Sequence, residues 1–256
     1  MKTNNTFFKQ ITKLALLLMM ALSMSACSKT SSWKEEVLLH DGNKIIVERT
    51  QIYGGRGELG QSPVKEQIAS FKMQGSEKII TWKSEYTDDV GRSNFNLRAI
   101  HALKGTPYIV AEPNLCLSYN KWGSPNPPYV VFKYIGNTWQ RIKLEELPKE
   151  FTTYNVVQDT YYYKNNDEHG AWLLDKLGYI TANKVKELNG RPEFNFILRE
   201  PVVDTRRYQI VGCAVMVRFE DGEYSGWTTK EGLLEKQRVK KLMGAQPVEL
   251  IKQTKE

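Results

Sequence analysis

The sequence predicts a mainly β protein, with antiparallel hairpins closed into a sandwich- or barrel-like sheet and a smaller α+β part at the C-terminal end. Three observations lead there. Short runs rich in Val, Ile, Tyr, Phe and Trp suit a pleated, half-buried surface. Two-residue turn signals separate them at hairpin spacing. The pattern changes after about residue 160, where helix start and stop signals come in.

The hairpins follow in chain order. "EEVLLHDGNKIIVER" turns at Asp41-Gly42, between two apolar-rich runs. "SFKMQGSEKIITWKSEY" turns around Gly75-Ser76. "NLRAIHALKGTPYIVAEP" turns at Lys104-Gly105, and "PYVVFKYIGNTWQRIKL" at Gly136-Asn137. "VKEQIASFKM" suits either a helix or a strand, and the run Lys78 to Trp82 beyond it favours a strand. No fixed repeat period supports a propeller. Further on, Thr181 can cap a short helix that Gly190 ends. "RYQIVGCAVMVRF" reads as a long strand, "EDGEYSGW" as a turn into Trp227, and "TKEGLLEKQRVKKLMG" as a second helix.

The amino-terminal end has a different logic. Lys2, Lys9 and Lys13 precede an apolar run from Leu14 to about Leu22, and small residues then lead to Cys27. That layout describes an export signal. The run is too short for a span, which needs about 20 apolar residues. "MSAC", Met24 to Cys27, resembles the lipobox of bacterial lipoproteins, which more often has Leu at the first position. The resemblance covers the signal region alone. It implies cleavage before Cys27, lipidation of its sulfur and a membrane-anchored first residue. Ser28 resembles the outer-membrane-sorted class of that family, whose members face the periplasm. The expected organisation is therefore 1–26 signal peptide, 27–32 lipid anchor and polar tether, 33–160 antiparallel β domain, and 161–256 α+β part packed on it. Five extended tether residues reach only about 17 Å, so the body begins close to the bilayer.

Export changes the charge and cysteine arguments. The 256-residue chain carries +7; losing Lys2, Lys9 and Lys13 lowers this to +4. So small and dispersed an excess argues against a nucleic-acid partner. Of the three cysteines, lipidation removes Cys27 and leaves Cys116 and Cys213, in "NLCLSY" and "IVGCAVMV". Two readings stand: a long-range disulfide suited to an oxidising compartment, or two buried thiols that never meet.

Sites with catalytic or ligand chemistry are sparse. "GRGELG", Gly55 to Gly60, matches G-x-G-x-x-G, but Pro63 follows and no βαβ alternation surrounds it, so a hairpin loop is expected and no cofactor. His40, His101 and His169 lack metal-ligand spacing, and Asp88, Asp89 and Asn94 lack the spacing of a calcium loop. No metal is expected. Ser225 in "GEYSG" sits one residue from the nucleophile-elbow position, and Cys116 has no evident base. The unusual stretch is "NLCLSYNKWGSPNPPYVVFKY". Tyr119, Trp122 and Tyr129 on a proline-stiffened loop either form a recognition surface or fold back to cap the sheet. "TYYYK", Thr160 to Lys164, is a weaker version. Lys236, Arg238, Lys240 and Lys241 on the last helix form a solvated face, or meet anionic headgroups beside the anchor.

"WKEEVLLHDGNKIIVER" and the Asn114–Tyr134 stretch resemble an uncharacterised group of proteobacterial envelope lipoproteins over roughly residues 33–160. That likeness implies a compartment and no activity. The expectation is a lipid-anchored cell-envelope protein of binding or structural role, on the periplasmic face of the outer membrane, with an envelope protein as its partner. A periplasmic immunity or inhibitor protein against a toxin is one alternative, and an envelope hydrolase another.

Overall fold

The computed structural model describes residues 29–55, 63–158, 176–190, 192, 195–206, 208–220, 225–243 and 249–250. β1 (Thr30–Leu38) and β2 (Lys44–Tyr53) pair antiparallel through nine registered positions, from Thr30–Ile52 to Leu38–Lys44. Asp41 holds their turn by accepting from the Asn43 amide at 3.0 Å, and Gly42 supplies the left-handed backbone at φ +84. β3 (Val64–Lys72) and β4 (Ile79–Lys83) complete the order β1-β2-β3-β4, so "VKEQIASFKM" is a strand. β5 (Tyr86–Thr87) and β6 (Arg92–Ser93) form a small separate hairpin.

A second sheet runs β7 (Phe95–Leu103), β8 (Thr106–Pro113), β9 (Val130–Ile135) and β10 (Thr138–Ile142), in the order β10-β9-β8-β7. Its two tight turns are Lys104-Gly105 and Gly136-Asn137, with all four residues at positive φ. That is the mirror-image turn whose twist matches paired strands. All four expected hairpin turns are therefore present.

The two sheets stack as a sandwich. Alternate residues of the first sheet point inward, among them Val37, Val47, Phe71 and Trp82. They meet Phe95, Ile100, Ile109 and Phe132 of the second. The second sheet is buried on its other face as well. There Tyr108, Val110 and Val131 pack against Leu147, Phe151 and Ile197. An HPHPH pattern predicts one wet face, and the first sheet has it; in the second, β7, β8 and the start of β9 read as more continuous apolar runs because they are covered on both faces.

β11 (Tyr179–Ile180) runs parallel to β1 at the sheet edge, and helix α2 (Ala182–Leu188) packs Val185 and Leu188 against Trp33. Thr153 bridges Phe196. The described residues of 176–199 thus pack on the first body, as expected of the part beyond residue 160. The expected tether shortens: Thr30 to Ser32 pair with Thr50 to Ile52, because β2 is long enough to receive them, and Ser31 is buried. What lies apart is a C-terminal unit of β12 (Met216–Glu220), β13 (Ser225–Thr229), β14 (Glu249–Leu250) and helix α3 (Lys230–Met243), with Phe219 and Leu233 as its core. Both expected helices are present, and Thr181 caps α2 by accepting from the Lys184 amide at 3.3 Å. Among the described residues, no helix is long and apolar enough to cross a membrane.

Candidate functional site

The proline-rich stretch builds a helix first. α1 (Leu115–Lys121) follows Asn114, and the C-cap Trp122 ends it. A seven-residue helix turns Tyr119 into the protein, leaving it 3% exposed. Trp122 packs against the sandwich core, its ring 4.6 Å from Phe95, and donates from Nε1 to Asn94 at 3.2 Å. Tyr129 is 4% exposed and shares a 2.6 Å hydrogen bond with the Tyr154 hydroxyl. Burial pushes the Tyr129 phenol up to about 12. The recognition surface read at Tyr119, Trp122 and Tyr129 is corrected: the rings fold back against the body, where Trp122 Nε1 and the Tyr129 hydroxyl find polar partners.

The same helix carries the disulfide. Cys116 on α1 and Cys213, just after a 3-10 turn at Gln209–Gly212, are bonded, with Cα atoms 5.5 Å apart. The long strand expected through Cys213 begins only at Met216. Asn120 reinforces the joint by donating to the Ala214 carbonyl at 3.1 Å and accepting from the Met216 amide at 3.0 Å. Lys121 adds an ion pair to Asp89 at 3.2 Å, and Arg218 approaches the same carboxylate at 4.0 Å.

A groove of about 400 Å³ lies between α2 and the chain from Thr153 to Asn155. Leu38, Val185 and Phe196 give it apolar walls, and Lys186 and Asn195 line it with polar groups. Phe196 is 49% exposed. Glu36 anchors one end of the wall. It accepts from the Ala182 amide, the Lys44 ammonium and the Tyr179 hydroxyl, each at 3.0 Å. Those bonds, the amide first, hold its carboxyl below the usual range. The arrangement can receive an apolar side chain and give hydrogen bonds to a polar flank. No motif in the sequence pointed to it. The usable signal was Phe196, an aromatic outside the regular elements.

Two buried polar clusters lie deeper. Glu35 and Arg49 face inward, in phase with Trp33 and Val47, and pair at 2.7 Å. Trp33 Nε1 and the Val157 amide donate to the other Glu35 oxygen at 3.1 and 3.2 Å. Glu35 is fully buried, so the pair ties β1 to β2 and to the chain at Val157 and meets no solute. The phase of the strands could have revealed it, since period-two alternation places both charges on the core face.

His101 stacks on Phe151 at 4.7 Å, and His40 meets the same ring edge-on at 5.0 Å. His101 Nε2 donates to the Thr153 carbonyl at 2.9 Å. Burial, chiefly, lowers its pKa to about 4. Asn155 bridges both sheets: it accepts from the Ile100 amide at 2.9 Å and donates to the Leu38 carbonyl at 2.9 Å. Among the described residues, no three His, Cys, Asp or Glu side chains gather as a metal site. Cys27, His169, Tyr161 to Tyr163 and residues 56–60 of the glycine motif lie outside the described residues, as does the side chain of Ser225.

No family model, curated protein or solved structure matches the chain. The groove and the stapled C-terminal unit therefore rest on their own geometry.

Proposed function

We propose that this chain is a lipid-anchored protein of the cell envelope that acts by binding, with the groove beside α2 as the place where its partner rests. The observation that carries the reading is the Cys116–Cys213 bond. Disulfides persist in oxidising compartments, which suits export by the amino-terminal signal. The bond also uses both other cysteines, so Cys27 is left for the lipid that the "MSAC" signal calls for. The body begins at Thr30, three residues later, which suits a protein working next to its membrane.

A partner at the groove would set an apolar side chain between Val185 and Phe196 and bond polar groups near Asn195. The periplasmic face of the outer membrane is the proposed address. Two experiments test the reading. Mass spectrometry of the mature amino terminus should find a diacylated Cys27, and Cys27→Ser should move the protein out of the membrane fraction. Crosslinking in intact envelopes should capture one partner with the wild type, and about tenfold less with Phe196→Ala. Equal capture by the variant would rule out the groove. An unmodified amino terminus would rule out the anchor.

A further inference from the structure

We propose that α3 is a second membrane contact, an interfacial helix that lays the C-terminal unit on anionic phospholipid headgroups; this rests on the lipid-anchor reading above. The helix carries five basic residues, Lys230, Lys236, Arg238, Lys240 and Lys241, against two acids, Glu231 and Glu235. It also presents apolar side chains to solvent: Leu242 is 79% exposed, Met243 77% and Leu234 65%, with Val239 half-exposed. Only Leu233 turns into the small core. Lys236 sets its ammonium over the Phe219 ring at 4.7 Å, a cation–π contact that ties the helix to the small core. Exposed apolar residues set among lysines on one helix match a headgroup boundary, where the cations meet phosphate and the apolar groups enter the acyl edge.

Position in the fold supports the same occupant. Thr30 opens β1 opposite Ile52 on β2. Beyond β2, Gly55 lies so close to the β5–β6 hairpin that a Cβ there would sit 2.6 Å from the Gly91 carbonyl. Asp89, in that hairpin's turn, pairs with Lys121 and faces Arg218 of β12. α3 packs on β12 and β13. A run of contacts therefore links the strand end nearest Cys27 to the unit that carries the basic helix. The lipid would fix where the chain is held, and α3 how the body stands on it.

The test uses the mature lipidated protein, purified from membranes and inserted into preformed vesicles. One set is phosphatidylcholine; the other mixes in phosphatidylglycerol. Tryptic cleavage between Lys236 and Lys241 is followed by mass spectrometry. Cleavage should be about tenfold slower on the anionic vesicles, and high salt should remove the protection. In Arg238→Glu/Lys241→Glu, cleavage at Lys236 and Lys240 should proceed at one rate on both vesicles, with the rest of the digest unchanged. Equal wild-type rates on both vesicles would overturn the proposal. Capture by neutral vesicles reports the lipid alone: if it fails while anionic vesicles still bind and protect α3, the anchor reading falls and the helix contact stands.

Discussion

The sandwich and the C-terminal unit are held by different means. The sandwich has two sheets whose facing residues, from Val37 and Trp82 to Ile109 and Phe132, are almost wholly removed from water. The C-terminal unit buries Phe219 and Leu233, with Val217 beside them. At about 1.5–3 kcal/mol for each buried large side chain, the core found among the described residues cannot by itself offset the ordering of a three-stranded sheet and a helix. The unit is held from outside by the Cys116–Cys213 bond, the two Asn120 hydrogen bonds and the Lys121–Asp89–Arg218 charges. The lesson is that α1 serves both regions: Tyr119 and Trp122 face the body, and Cys116 and Asn120 hold the appendage.

The largest effect should come from cutting the shared core. Trp82 lies between Phe95 and Phe132, with ring centroids 6.5 and 6.3 Å away. Trp82→Ala should cost about 3–5 kcal/mol, from lost burial plus the cavity left behind. Hydrogen exchange should quicken throughout the sandwich and the C-terminal unit alike, since the latter is bonded to the body through α1. Exchange confined to β4 would mean the sandwich is less cooperative than its packing implies.

Cys213→Ser should separate the two regions. Removing a native disulfide typically costs about 2–5 kcal/mol, and the chain-entropy model puts a loop of 97 residues near the top of that range. The amides of β12 and α3 should lose protection, while β1, β2, β7 and β8 keep theirs. Equal loss in both regions would show that the bond stabilises the sandwich itself.

The sandwich should also respond to mild acid, through His101. His101 titrates at about 4 when folded, against 6.5 when exposed, because burial disfavours its charge. Between those values the unfolded chain binds the extra proton. Stability is therefore full above about pH 6.5 and falls as the pH drops toward 4. The loss should reach about 2 kcal/mol at pH 5, read from urea midpoints at pH 7 and pH 5. His101→Gln should remove most of that difference. An unchanged slope would move the acid sensitivity to other groups.

These contrasts also explain what could be read from the chain. Turns such as Lys104-Gly105 and strands such as Lys44–Tyr53 announce themselves, since dihedral needs and period-two burial are local. The place of Tyr119 was not local. "NLCLSYNK" carries too short a helical pattern to stand out; the fold buries Tyr119, and Trp122 just after it is placed by Phe95 and Asn94, far earlier in the chain. The disulfide had the same limit: parity made the pair available, but only the fold sets their Cα atoms 5.5 Å apart. The groove depends on α2 returning to the β1 edge, a contact across more than 140 positions that no composition reveals.

The smallest change probes the joint most finely. Asn120→Ala keeps the helix and the disulfide but removes two hydrogen bonds to the segment Ala214–Met216. Each is worth about 1 kcal/mol, and the Met216 amide can turn to water once its partner is gone, so the total should be about 1–2 kcal/mol. The loss should appear in the exchange rates of β12, with the sandwich midpoint unmoved. Asn120→Ala combined with Cys213→Ser is then informative. If bond and side chain secure the same contact independently, their costs add; if the disulfide only holds Asn120 in reach, the second substitution costs nothing after the first. Additive loss would make α1 a two-point clamp, and no further loss would make the disulfide its hinge.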